Sequence, residues 1–111
     1  MSRQISAAEA LVLERALAVG ATGLVAPRIL AAIGSLQVTA TCSCGCATVW
    51  FGPDGDAANG HQLADALATS DGQNISVLVW SIADEIVGLE LVGVGAVALP
   101  DPASVRSYSE A

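Results

Sequence analysis

Residues 75–94 constrain the fold most, because they are predominantly apolar and their charged pair Asp84-Glu85 falls near the middle. Residues 75–83 and 86–94 are rich in valine, isoleucine and leucine, which predicts two strands of a hairpin around Asp84-Glu85. Both strands carry apolar side chains on both faces. Such strands lie in the centre of a sheet, or have one face covered by helices and the other by a partner.

The segment before this hairpin predicts two helices. Ser6-Ala7-Ala8-Glu9 is a capping box, which predicts a helix from there to about residue 19. Gly20 suits the left-handed position after a helix. A shorter helix is expected to begin at Thr22 or Ala26, with Pro27 in its first turn and Gly34 at its end.

Further along, residues 36–42 and 46–51 read as strands, and the cluster 52–56 reads as a turn. Residues 57–74 are the least defined, with a helical turn expected over 61–68 and a loop over 70–74. Residues 99–102 end the regular structure, and about 103–111 is expected to be a C-terminal tail. The predicted fold is a single α+β domain over residues 1–111, with two N-terminal helices packed on one face of a roughly four-stranded antiparallel sheet.

Charge excludes several classes of partner. The chain has 4 basic and 11 acidic residues and a net charge of −7, and it contains no lysine. Nucleic-acid binding depends on basic groups that displace counterions, so we expect no nucleic-acid partner. Anionic membranes are disfavoured for the same reason, whereas a basic protein partner would be attracted. No leader is recognised at the N-terminus, and three cysteines do not make a secreted framework, so we expect a soluble cytoplasmic protein.

The cluster Cys42-Ser43-Cys44-Gly45-Cys46 is the most unusual motif. In an extended strand the sulfurs would be spaced about 6.8 Å apart, whereas thiolates on one zinc ion lie about 3.8 Å apart. A turn at residues 43–45, with Gly45 in the left-handed conformation, would place Cys42 opposite Cys46. That arrangement permits a disulfide or two metal ligands, with Cys44 as a third and His61 as a fourth. The preferred interpretation is that the cysteines are small apolar residues in a bracing hairpin, so no cofactor is expected and zinc is the alternative.

Other candidate sites are weaker. The acidic cluster at 54–56 resembles a calcium loop but lacks its glycine and its final glutamate. His61 lies one helical turn before Asp65, so a pair is conceivable, but no nucleophile elbow completes a triad. Glu90 lies among apolar residues of a central strand, where a carboxylate must be paired, protonated or at a rim. We expect Glu90 to mark a site, or to pair with Arg15 or Arg28.

Several of these motifs together resemble a group of small uncharacterised bacterial proteins. The shared features are the Cys-x-Cys-Gly-Cys segment at 42–46, the Leu89-Glu90 motif of the last strand, and the closing Pro100-Asp101-Pro102 pattern. The resemblance covers most of the chain. It implies the order of the elements and no activity. This chain departs from the pattern at Glu85, where a glycine would be expected in the turn.

The sequence therefore favours a small, acidic, non-enzymatic interaction module of the immunity, inhibitor or host-modulating type. Its small size, its acidity and its strands that are apolar on both faces point to pairing with a protein partner or with a second copy. The interaction candidates are Trp50, Trp80 and Glu90. The alternative function is a thiol-based metal-binding or redox protein built on Cys42, Cys44 and Cys46. A hydrolase using His61 or Glu90 is a third and less supported class.

Overall fold

A computed structural model describes residues 2–52 and 60–110 of the chain. The fold is α+β with antiparallel sheets, and the predicted turn over 52–56 lies outside the described residues except for Gly52. The helices are α1 (Ala7–Gly20) and α2 (Pro27–Ala32), with short 3-10 helices at Ile33–Ser35, Pro102–Ser104 and Tyr108–Glu110. The strands are β1 (Arg3–Gln4), β2 (Gln37–Val38), β3 (Ala40–Thr41), β4 (Val49–Trp50), β5 (His61–Ser70), β6 (Gln73–Ile82) and β7 (Glu85–Val92).

The start of α1 is held by the predicted capping box and by an ion pair. The Ser6 hydroxyl accepts from the Glu9 N–H at 3.1 Å, and the Glu9 carboxylate accepts from the Ser6 N–H at 2.9 Å. Arg3 donates to both oxygens of the same carboxylate, at 2.9 and 2.8 Å. Glu9 is only 6% exposed, and the hydrogen bond from Arg3 holds its pKa below the usual value of a glutamate, although burial opposes this.

The end of α1 differs from the prediction for Gly20. Gly20 is the last helical residue, and it is not among the residues with positive φ. A side chain at this position would collide with the backbone of Asp65, whose carbonyl carbon lies 2.8 Å from where a Cβ would sit. Glycine therefore provides space for the helix to approach β5, instead of the left-handed conformation expected from the sequence.

The main sheet has five strands, where the sequence predicted about four, in the order β3-β4-β7-β6-β5. Its centre is the predicted hairpin of β6 and β7. The turn consists of Ala83 and Asp84, one residue earlier than expected, since Ile82 pairs with Glu85. On β6 the side chains alternate between buried and half-buried, with Ile75 among the buried ones. The second face of the hairpin is therefore less covered than the first.

The additional strand is β5, which replaces the helical turn expected over 61–68. It pairs with β6 along its length, from His61 opposite Ser81 to Ser70 opposite Gln73. Asp71 and Gly72 form the two-residue turn, and both have positive φ (48° and 81°). This is the conformation that favours an Asp-Gly pair in a hairpin.

The strand predicted over 36–42 is divided between two sheets. Its first part, β2, pairs with β1 in a separate two-stranded sheet, and its second part, β3, pairs with β4 at the edge of the main sheet. The next predicted strand, 46–51, is regular only at Val49–Trp50.

The C-terminal segment, expected to be a tail from about residue 103, packs against β5. Val105 is fully buried. Leu67 and Arg106 exchange two backbone hydrogen bonds, each of 2.8 Å. The Arg106 side chain also donates to Ser104 O at 2.8 Å and to Asn74 Oδ1 at 3.2 Å. These contacts cover part of the outer edge of β5. Unpaired backbone groups at that edge would otherwise be available to pair with another strand.

The core lies between α1 and the sheet. The buried side of α1, which includes Leu13, belongs to one apolar cluster with residues of β5, β6 and β7. The three apolar side chains of β5 with no exposed surface are small, namely Ala64, Ala66 and Ala68. No helix in the described part of the chain is long and apolar enough to cross a membrane.

We predict that Glu9→Gln destabilises the protein by roughly 1–2 kcal/mol at neutral pH, because it weakens a capping box and a charge-assisted pair. The folded-state pKa of Glu9 is lowered. Its contribution is therefore fully present above the unfolded-state value and is lost as the pH falls through the folded-state value. Urea unfolding of the wild type and the variant should converge in acid. The exposed Glu14 on the same helix supplies the control, and an equal effect of Glu14→Gln would contradict the assignment.

We predict that Ala83→Asn stabilises the protein by about 0.5–1 kcal/mol, since asparagine tolerates the left-handed conformation better than alanine does. Ala83 has φ 51°. The matched change is Gly72→Ala, where nothing lies within 4 Å of the added Cβ but φ is +81°. It should destabilise by about 1 kcal/mol for backbone reasons alone. Thermal unfolding of both variants measures how each turn affects the stability of the protein. Melting temperatures that shift in the same direction in both variants would disprove the explanation.

Candidate thiol site

The cysteines lie in the loop of the β3–β4 hairpin, which is longer than the sequence predicted. Thr41 pairs with Val49, and the Cys42 N–H donates to Thr48 O at 3.3 Å. Thr48, and not Cys46, is therefore opposite Cys42. The expected three-residue loop is instead a loop over residues 43–47, although Gly45 has the predicted positive φ, at 89°.

The loop brings all three sulfur atoms together. The sulfurs of Cys42, Cys44 and Cys46 lie within 4.8 Å of one another. Cys42 and Cys44 form a disulfide, with Cα atoms 5.3 Å apart, and Cys46 is a free thiol. The Cys46 sulfur lies 3.0 Å from the Cys44 sulfur. The predicted bridge between Cys42 and Cys46 is therefore replaced by one that closes earlier in the loop.

Backbone N–H groups donate to two of these sulfurs. The Cys44 N–H donates to Cys42 Sγ, and the Cys46 N–H donates to Cys44 Sγ, each at 3.4 Å. The Gly45 N–H donates to Cys42 O at 3.3 Å and closes the turn. Both acceptors are sulfurs of the disulfide, so these hydrogen bonds help to fix the conformation of the loop.

The cluster borders a pocket of about 240 Å³ between the loop, β7 and residues 93–97. Cys44 is exposed, whereas Cys42 and Cys46 are half-buried. Glu90 is the charged side chain among the described residues that line this pocket. The local potential is therefore negative, which favours a bound cation over a bound anion.

Glu90 is held by a tryptophan and not by an arginine. Its Oε1 accepts from Trp80 Nε1 at 2.9 Å, across the β6–β7 pair. The predicted arginine partner Arg28 instead pairs with Asp84, at 2.6 Å. The indole N–H thus supplies one of the hydrogen bonds that a half-buried carboxylate on a central strand requires.

Trp50 and Trp80 flank the same residue of β7, because Gly88 pairs with both of them. A side chain at Gly88 would collide with the ring of Trp50. Both indoles are half-buried. The sequence marked the two tryptophans as interaction candidates but did not identify Gly88 as the residue that makes room for one of them. A glycine inside a strand is the signal that could have shown this.

His61 and Asp65 are not brought to the cysteines. Both lie on β5, at the opposite edge of the sheet from β3. His61 pairs with Ser81, near one end of β6. Val92, which lines the pocket beside the cysteines, pairs with Ser76 near the other end of β6. Because both lie on a strand, a separation of four residues spans about 13 Å. The His61–Asp65 pair was conceivable only on a helix, and the strand removes that possibility.

Comparisons of the chain with protein-family models, with curated proteins and with solved structures find no match. The resemblance inferred from the sequence motifs therefore stays a prediction.

Proposed function

We propose that the chain is a thiol-based metal-binding protein, in which the reduced cysteines Cys42, Cys44 and Cys46 hold a thiophilic ion such as Zn²⁺. The observation that carries this proposal is the gathering of three sulfurs within 4.8 Å on one loop. The interpretation favoured by the sequence, in which the cysteines are small apolar packing residues, is the alternative explanation of this cluster.

The donor set suits a soft or borderline ion. Thiolate ligands select Zn²⁺ or Cu⁺ over Mg²⁺ and Ca²⁺, which take oxygen ligands. Thiolates on zinc lie about 3.8 Å apart, and the Cys44 and Cys46 sulfurs are now 3.0 Å apart. Reduction of the disulfide would free both Cys42 and Cys44, and small side-chain movements would open the cluster to that spacing. The N–H donors at Cys42 Sγ and Cys44 Sγ are the kind of outer hydrogen bonds that accompany metal thiolates.

The proposed ion would be exchangeable and not a structural requirement. Three protein ligands leave one zinc position open, whereas structural zinc sites are usually closed by four. The exposed Cys44 lies at the solvent side of the cluster. The main apolar core lies between α1 and the sheet, and Cys46 only packs against it. Metal removal should therefore leave the fold intact.

We predict that the fully reduced protein binds one Zn²⁺ per chain, measured by competition with a chromophoric chelator. Cys44→Ser should weaken binding by at least about tenfold, because it removes one of three ligands. Ser43→Ala, in the same loop, and His61→Ala, at the far sheet edge, are the matched controls and should bind as the wild type does. An unchanged affinity in Cys44→Ser, or no binding by the reduced wild type, would reject the proposal.

A second candidate function is the interaction module expected from the sequence, favoured by the less covered sheet face. Ser76, Leu78 and Trp80 alternate with the buried residues of β6 and so share this face. Val92, paired with Ser76, is 46% exposed, and Tyr108, whose hydroxyl is 2.7 Å from the Ser76 hydroxyl, is 47% exposed. Pairing through the edge of β5 is disfavoured, because Ala21 and Arg106 form bridges to it. A partner would therefore contact the face.

For this second candidate we predict concentration-dependent dimer formation in sedimentation equilibrium of the reduced protein. Val92→Asp should weaken the dimer, because it places a charge in the apolar contact. The control variant is Val94→Asp, because Val94 lies outside β7 and is 83% exposed. A wild type that stays monomeric at all concentrations would remove self-association and leave only a different protein as the partner.

A further inference from the structure

The disulfide and the free thiol in the cysteine loop form a reactive pair. We propose that the loop carries out internal thiol–disulfide exchange, in which the Cys46 thiolate attacks Cys44 Sγ and the Cys42 sulfur leaves. The disulfide then moves from Cys42–Cys44 to Cys44–Cys46. This activity does not depend on metal binding, and Cys44 is the sulfur that both disulfides share.

The first support is the position of the attacking atom. The Cys46 sulfur lies 3.0 Å from the Cys44 sulfur. Reacting atoms held at about 3–3.5 Å and in line react with effective molarities far above those of free thiols. The three sulfurs all lie within 4.8 Å of one another, so their arrangement is bent, and rotation of the Cys46 side chain must bring its sulfur into line with the Cys42–Cys44 bond before it attacks. Cys46 is the free cysteine of the three, so the nucleophile is already present beside the bond that it would cleave.

The second support is the environment of the leaving atom. The Cys44 N–H donates to Cys42 Sγ at 3.4 Å. Exchange is faster when the departing sulfur is a better leaving thiolate, and a hydrogen bond to sulfur improves it. The Cys46 N–H donates to the central sulfur, Cys44 Sγ. Each of these donors belongs to the loop backbone, so neither has to be recruited from elsewhere.

The reaction balances without an oxidant or a reductant. Cys46 loses its proton to water, and its sulfur electron pair forms the new bond to Cys44 Sγ. The bond between Cys42 and Cys44 breaks, and its electron pair leaves on the Cys42 sulfur, which takes a proton from water. One disulfide and one thiol are present before and after, and the free thiol has moved from position 46 to position 42.

The surrounding backbone confines the rearrangement to the loop. The Cys42 N–H is bonded to Thr48 O at 3.3 Å, and the Ala47 N–H is bonded to Val97 O at 2.7 Å. Both ends of the loop are therefore anchored to neighbouring segments. Only the short stretch between them must adjust when the partner of Cys44 changes.

Differential alkylation tests the exchange. Wild-type protein with one disulfide is freed of small thiols, equilibrated with a chelator at neutral pH, and labelled with one alkylating reagent. It is then reduced, labelled with a second reagent, and sequenced by fragmentation. The first label is expected on both Cys46 and Cys42, and least on Cys44. Ser43→Ala should give the same distribution. Labelling of Cys46 alone would overturn the proposal.

Serine variants test the role of the shared sulfur. Under mild oxidation by oxidised glutathione, Cys42→Ser should form the Cys44–Cys46 disulfide at least about tenfold faster than Cys44→Ser forms any disulfide, because only the first retains the adjacent pair. Near-ultraviolet circular dichroism of the tryptophans verifies that both variants are folded. Equal rates, or persistent thiols in Cys42→Ser, would overturn the proposal. The chelator removes metal throughout, so these outcomes are independent of zinc binding.

Discussion

The pairing of Gly88 with a tryptophan on each side is the constraint on which the rest of the sheet depends. Trp80 on β6 and Trp50 on β4 are both in register with this one residue of β7. The ring of Trp50 fills the space that a side chain at Gly88 would take. Since β3 pairs only with β4 in this sheet, the same contact sets where the cysteine loop begins and ends. The position of the thiol site thus depends on an apolar contact between β7 and β4, the strand that directly follows the loop.

The separation of core and site follows from this arrangement. The apolar cluster is formed by α1, the sheet and the segment that contains Val105. The cysteine loop projects from the opposite edge of the sheet from β5, against which α1 packs. Chemistry at the sulfurs can therefore change without loss of the main buried contacts. That separation would let one loop serve both the proposed metal binding and the proposed disulfide exchange.

The parts of the fold that the sequence predicted correctly are those with strong local signals. The capping box at Ser6 and Glu9 and the apolar strands β6 and β7 are determined by nearby residues. The strand β5 was missed because it includes three alanines, which have little preference for strands. Their small size is required by tertiary contact, since α1 approaches β5 closely enough to exclude a side chain at Gly20. The Asp71-Gly72 pair is a local signal for this hairpin, although the polar composition of residues 70–74 predicts only a loop.

The cysteine site illustrates why motif spacing alone could not give the geometry. The motif predicted a turn and the conformation of Gly45, but the distance between sulfurs depends on which residue faces Cys42 across the hairpin. With Cys46 opposite, two thiols would meet across strands. With Thr48 opposite, Cys42 directly precedes the loop that carries Cys44 and Cys46, and a disulfide occupies two of the three sulfurs. A disulfide and a three-thiolate metal site need the same sulfurs, so each excludes the other. Under the two proposals, the redox state of the surroundings would therefore decide which chemistry is open to the loop.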